Sequence, residues 1–381
     1  MSRRARCAAL SFALATMLAC GGAEDARPEP RAPSAAAESD SASEIARAEE
    51  RTPEAPEPPA DAPAPTRERI PAPRRAFAGT LARLWESEPS DYDSLLIHPV
   101  DVLFSRYGLL VLDIGDRQIR VFDGATGKHR RTVGREGGGP GEFTIPLSLL
   151  GSYDRPLAFD TRQRRLTVLF DSGGEPYTLP FPKDRRWLST CALDTVRTFG
   201  IIASDPGPDY FVVEGERFAD STFAPWERLR GEHFMARQGS IRQLDDSTCA
   251  VLPVYQPEFA VYARGQYVLG RTVEDLPPAQ VEVTESADGK SRRASFTTAT
   301  AGSSDAHAWR DQVIVLFAGK TKQRNRLLDF YRRTDLAYTG SIALPFETHR
   351  FAVRGDTIAV AGVRDDYPAV AVFLIRATRL R

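Results

Sequence analysis

The chain has 381 residues, 42% of them hydrophobic and 27% charged. Fifty Lys and Arg against 51 Asp and Glu leave a net charge of −1, which excludes a strongly basic nucleic-acid binder. Four cysteines exclude a disulfide-dense scaffold, and the length allows two ordinary domains or one large all-β domain.

Arg3, Arg4 and Arg6 precede an apolar run from Cys7 to Ala19. The run is too short to span a bilayer, which takes about 20 apolar residues, and has the layout of a secretory signal over residues 1–19. It ends in Met17-Leu18-Ala19-Cys20, followed by Gly21-Gly22. This resembles a bacterial lipobox. The resemblance implies cleavage before Cys20, acylation of Cys20, and a lipid-anchored place in the bacterial cell envelope, at the outer membrane. Several acyl chains on one cysteine would hold stably where a single chain is marginal. The alternative is an ordinary signal peptide with a chance cysteine.

Residues 20–75 read as a tether. From Gly21 to Arg75 there is no Phe, Trp or Tyr, and 11 of the 28 prolines fall here. Such a segment buries too little apolar area to offset its conformational entropy, so disorder is expected. It carries 12 acidic and 8 basic side chains, so the folded remainder is close to neutral.

From Ala76 to Arg381 short apolar runs alternate with turn signals, which points to an all-β fold. The runs recur as a unit. Leu109–Asp113, Gln118–Asp123 and Arg131–Gly134 form the clearest copy, and Pro156–Asp160 with Arg165–Asp171 a second. Further copies start near Val196, Thr248, Gln312 and Thr357. Repeats of four strands at about 40–50 residues suit a β-propeller. The expectation is a six-bladed β-propeller over 76–381, with the named anchor runs as innermost strands. Val281–Thr284 and Arg293–Thr298 flank an Asp288-Gly289 turn and read as an extra hairpin. The last unit lacks an outer strand, and Gly79–Trp85 is the spare apolar segment that would supply it. Closure of this kind removes exposed sheet edges.

The run Gly134-Arg135-Glu136-Gly137-Gly138-Gly139-Pro140-Gly141-Glu142-Phe143, with Asp113–Phe122 before it, resembles the inter-blade signature of NHL-type propellers. That family includes protein-binding, RNA-binding and enzymatic members, so the resemblance implies a fold and selects no activity.

The same glycines do not make a phosphate loop. That loop needs GxxxxGK followed by Ser or Thr, and Gly127-Lys128 is followed by His129. His98, His307 and His349 each lie near the start of an apolar run in units one, five and six, so three imidazoles could meet at one channel mouth and hold a divalent metal. Separate channel-lining histidines are the plainer reading. Propeller lactonases, which this architecture resembles, use carboxylates around a channel-bound ion, and Asp101, Glu142 and Asp305 would be the counterparts. Cys191 and Cys249 sit in neighbouring units. They are either a disulfide, which an exported compartment permits, or two buried thiols. The leading expectation is a membrane-anchored, non-enzymatic propeller without a cofactor that binds a protein or glycan partner as a monomer, with no role for nucleic acid. The alternative is a metal-dependent, lactonase-like hydrolase.

Overall fold

The computed structural model describes residues 74–87, 96–170, 176–179, 181–182, 187–194, 197–202, 210–214, 217–220, 239–263, 266–277, 279–285, 292–319 and 321–377. Residues 1–73, with Cys20, the signal and most of the tether, lie outside them, as does Val196.

Every named element among these residues is a strand. In chain order they are β1 (Gly79–Glu86), β2 (Pro99–Ser105), β3 (Gly108–Asp113), β4 (Gln118–Phe122), β5 (His129–Val133), β6 (Pro146–Gly151), β7 (Pro156–Asp160), β8 (Arg165–Val168) and β9 (Tyr177–Leu179). There follow β10 (Trp187–Ala192), β11 (Arg197–Ile202), β12 (Tyr210–Glu214), β13 (Arg217–Asp220), β14 (Gly239–Asp245), β15 (Thr248–Pro253), β16 (Glu258–Ala263) and β17 (Gln266–Arg271). The last are β18 (Gln280–Glu285), β19 (Arg292–Thr298), β20 (Ser303–Trp309), β21 (Gln312–Phe317), β22 (Leu327–Arg332), β23 (Tyr338–Ala343), β24 (Glu347–Arg354), β25 (Thr357–Arg364) and β26 (Tyr367–Ala377).

They form four-stranded antiparallel sheets. Five are meanders cut from one continuous stretch of chain each: β2–β5, β6–β9, β10–β13, β14–β17 and β20–β23. The remaining four-stranded sheet, in the order β1-β26-β25-β24, takes strands from both ends of the domain. β18 and β19 pair only with each other, as a separate hairpin. The first strands of the sheets pack side by side in a closed circuit: β2 beside β6 and β24, β10 beside β6 and β14, β20 beside β14 and β24.

The expectation of a six-bladed ring of NHL-like repeats is corrected on three counts. The contiguous four-strand unit occurs five times, not six, while the last four-stranded sheet is, as the sequence reading expects, a composite closed by β1, from Gly79↔Ala377 to Glu86↔Ala371. The anchor runs at Leu109, Leu157, Thr248, Gln312 and Thr357 are second strands, not innermost ones. The glycine-rich loop is a local device in one inter-blade crossing. Its Gly134, Gly137 and Gly141 have φ of 82°, 154° and 69°, a region where an L side chain is strained. A Cβ at Gly134 would also stand 2.4 Å from the ring of Phe143, which is fully buried.

The second strands read as unbroken apolar runs because both of their faces are buried. Leu109 and Val111 of β3 pack with Ala359, Ala361, Val370 and Val372 of the composite sheet. The alternate residues, Leu110 and Leu112, pack with Leu149 and Ala158 of the next blade. The same alternation places a core between β10–β13 and β14–β17, where Phe199 stacks on Tyr262 with ring centroids 4.6 Å apart. In that core Cys191 of β10 and Cys249 of β15 are joined by a disulfide, with Cα atoms 6.3 Å apart.

Ordered contacts begin before β1. Arg74 is buried, donates to both carboxylate oxygens of Asp329 at 2.8 and 3.0 Å, and pairs with Glu274. Its guanidinium lies 4.0 Å over the Phe317 ring. Phe77 stacks on Phe330, and its N–H donates to the Ser341 carbonyl. The chain is thus clamped to β20–β23 immediately before it closes the composite sheet.

Candidate functional site

Five of the six first strands carry a β-bulge near their start, after Pro99, Pro146, Trp187, Ser303 and Thr348. A bulge re-aims the side chain that follows it. Here those side chains are Asp101, Ser148, Ser189, Asp305 and Arg350. Three of them accept a backbone N–H from the next blade. Asp101 accepts the Leu149 N–H at 2.9 Å, Ser189 the Ile241 N–H at 2.8 Å, and Asp305 the Phe351 N–H at 2.8 Å.

Arg242 of β14 completes the arrangement. Its Nη1 and Nη2 donate to Asp101 Oδ2 and Oδ1 at 2.9 and 2.6 Å, and its Nε lies 2.6 Å from Asp305 Oδ1. β14 is not a neighbour of β2 in the circuit, so this contact crosses the channel. Both carboxylates are fully buried. With the N–H groups of Val102 and Ala306, Asp101 receives four hydrogen bonds and Asp305 three. Burial works to lower the Arg242 pKa, but the two carboxylates outweigh it and hold the guanidinium more firmly protonated than usual.

Around this triad the lining is polar and under-bonded. Ser148 Oγ, Ser240 Oγ, Ser304 Oγ, His307 Nε2 and Arg350 Nε are buried with no hydrogen-bond partner. Arg350 Nη1 donates to the carbonyls of Ser304 and His349 at 2.7 and 3.0 Å. Burial, then the charge of Arg242, pushes the Arg350 pKa down. Burial also holds His307 down at about 4, against the pull of Asp305, so its imidazole is neutral at pH 7.

The residues singled out for chemistry are therefore distributed as follows. Asp101 and Asp305 do meet, but through Arg242, which occupies the side of each carboxylate that an ion would need. Glu142 lies in the glycine-rich loop, where the Gly139 N–H and then Arg135 hold its carboxyl below the ordinary range. His307 Nε2 is 3.9 Å from Asp305. His98 stands in the loop before β2, where Asp113 binds its backbone N–H at 2.8 Å. His349 is on β24, its pKa lowered by burial with Arg350 and His98 nearby. Among the described residues no three His, Cys, Asp or Glu side chains are grouped to hold a metal. The shared-metal reading of the three histidines is thus not supported. Arg242 and Arg350 escaped notice because strand patterning treats a lone arginine as solvent-facing. The available signal was an arginine inside a strand on a run expected to turn toward a channel.

A second constellation lies on the face formed by the first-to-second-strand turns. Arg354, the last residue of β24, stacks its guanidinium 3.4 Å over the Tyr153 ring, which belongs to the β6–β7 turn. The Arg106 N–H donates to the Tyr153 carbonyl, and its Nη2 donates to Tyr107 Oη at 2.7 Å. Arg131 lies 4.3 Å over Phe170 and 5.8 Å over Tyr107. Arg155 Nη2 donates to Tyr177 Oη at 3.3 Å. Beside this cluster a cavity of about 290 Å³ opens among the β6–β7, β10–β11 and β14–β15 turns. Gly151, Ser152, Arg155, Leu157, Ala192, Asp194, Gln243 and Asp246 line it. Gln243 shapes its wall, its amide accepting the Ala192 N–H and donating back to the Ala192 carbonyl.

Radial four-stranded meanders on a closed circuit of first strands define the class, a β-propeller. No family model matches the chain, NHL repeats included, and no curated protein sequence matches it. Among solved structures, a member of the DUF4221 family from Bacteroides vulgatus is similar with a TM-score of 0.50 at 11% identity, covering 80% of this chain and 100% of that one. The RRP9 WD40 repeats score 0.47 at 10% identity, covering 80% and 99%. The PQQ-bound aldose sugar dehydrogenase of Streptomyces coelicolor scores 0.46 at 14% identity, covering 79% and 100%. The first of these likenesses is one of fold alone.

Proposed function

We propose that this propeller is a recognition module that binds a protein or glycan partner, without chemistry in its channel. One observation carries the reading: the two channel carboxylates that a lactonase-like mechanism would assign to a metal are saturated by Arg242 and backbone N–H groups. Replacing that guanidinium with an ion would leave a buried Arg242 unpaired, at a cost of several kcal/mol. The turn face, by contrast, offers a partner the exposed Arg354 stacked on the half-buried Tyr153, with the cavity beside them. The N-terminal pattern ending at Cys20 supports a place at the envelope membrane, where such a module would meet its partner.

The test is retention of envelope components on the immobilised protein. Wild type should retain a component that the Arg354→Glu, Tyr153→Ala double variant loses. Equal retention by both removes the turn face from the proposal. In parallel, Tm should be indifferent to EDTA and to added divalent ions. A rise of several degrees with one ion would favour the hydrolase reading. A Cys20→Ser variant should move from the membrane to the aqueous fraction.

A further inference from the structure

Arg242 and Arg350 both stand on first strands of the circuit, yet only Arg242 meets an anion. Arg350 follows the bulge of β24 as Asp305 follows the bulge of β20. The two bulged residues, Ser304 and His349, accept from Arg350 Nη1 through their carbonyls at 2.7 and 3.0 Å. Those bonds fix the plane of the guanidinium. Its other edge, Nε with Nη2, has no hydrogen-bond partner among the described residues, and Nε is buried. Asp305 and Asp101 attract Arg350 from a distance, but both are bonded to Arg242, and burial with the charge of Arg242 outweighs their pull. Arg350 therefore keeps a charge without a counter-ion, the costly state for a buried cation.

The molecule shows what such an edge takes. At Arg74 the same two atoms, Nε and Nη2, hold Oδ1 and Oδ2 of Asp329 at 2.8 and 3.0 Å. A carboxylate fits this edge in a flat, two-bonded pair. The charge count favours a single charge. Two carboxylates against one guanidinium leave the Asp101–Arg242–Asp305 triad one negative charge in excess. A monoanion neutralises Arg350, whereas a dianion adds repulsion from the triad. Ser304 Oγ and His307 Nε2, buried and unpartnered, add polar lining on the neighbouring strand. Access is from the mouth away from the turn face, since β24 begins at Glu347 and reaches that face at Arg354. Arg350 is half-buried, and around this mouth the charges of His98 and Arg324 act on His349 together with its own, against one carboxylate, Glu347. We propose that Arg350 anchors an anion site in the channel, and that the site takes a small molecule with a single carboxylate, bound side-on to Nε and Nη2. The site is separate from the turn face and does not depend on what binds there.

The experiment titrates the full chain with propionate, propionamide and sulfate by calorimetry at matched ionic strength. Propionate should bind at one site, propionamide should give no binding, and sulfate should bind about tenfold more weakly or worse. Arg350→Met should abolish propionate binding. Arg350→Lys keeps the test decisive should the Met variant fold poorly: it retains the charge but lacks the planar fork, and should weaken propionate about tenfold or more. No binding of propionate, equal binding of acid and amide, sulfate as tight as propionate, or an undiminished affinity in Arg350→Lys would each overturn the proposal.

Discussion

The channel and the turn face are both built on arginine, and they differ in what the guanidinium meets. In the channel Arg242 meets Asp101 and Asp305, both fully buried, at 2.6 to 2.9 Å. On the turn face Arg354 meets the ring of Tyr153 and Arg131 the ring of Phe170. A carboxylate consumes the hydrogen-bonding edge of the guanidinium, whereas an aromatic face holds its plane and leaves the edge available. The first arrangement fixes the fold by joining opposite strands of the circuit. The second leaves charge at the surface. The same side chain is therefore structural at one site and a candidate for recognition at the other.

The comparison breaks most readily at Arg242. Arg242→Leu strands two buried carboxylates and should cost about 3–5 kcal/mol in chemical denaturation. The triple variant Arg242→Leu, Asp101→Asn, Asp305→Asn should recover much of that. A single variant of wild-type stability would show that the triad is not the channel's tie. The disulfide supplies the next largest effect, between the third and fourth contiguous blades. Replacing Cys191 and Cys249 together by Ala should lower stability by about 2–5 kcal/mol, from the roughly 60-residue loop they close. Thiol titration of denatured protein should find these two only after reduction.

The pH dependence comes third. His307 is held neutral, at about 4 against 6.5 in an unfolded chain. Between those values the unfolded state binds a proton that the folded state does not, so stability falls as pH drops through 6.5 and levels off below 4. The whole effect is up to about 3 kcal/mol, and His349 adds to it in the same direction. His307→Gln should flatten the denaturation midpoint across pH 4.5–7. An unchanged slope would remove His307 from the channel's titration. The smallest effect belongs to the exposed stack: Arg354→Ala should change stability by no more than about 1 kcal/mol while reducing retention of the partner. A large loss of stability there would make the turn face structural as well and erase the contrast.

Strand positions were legible because a strand buried on both faces must be apolar at every residue, as Leu109–Leu112 and Val313–Phe317 are. That same rule misled on strand roles. By apolar content the second strands read as innermost, but the first strands line a polar channel and carry Asp101, Ser148, Asp305 and Arg350, so they read as weaker. The glycine-rich loop suggested a family through a single copy. Its glycines serve one crossing, where Phe143 fills the space against Gly134.

The sequence by itself determined an all-β chain of short, doubly buried strands after an aromatic-free stretch from Gly21 to Arg75, because composition and period depend on neighbours along the chain. It also placed the cysteines in adjacent units, since two residues 58 apart fall about one unit from each other. Only the tertiary structure decided which charges meet. Asp101 and Arg242 are 141 residues apart, and Arg354 and Tyr153 lie in different blades. No local pattern links such pairs. They become neighbours when the first strands close into a circuit, and that closure makes one pair a buried tie and leaves the other at the surface.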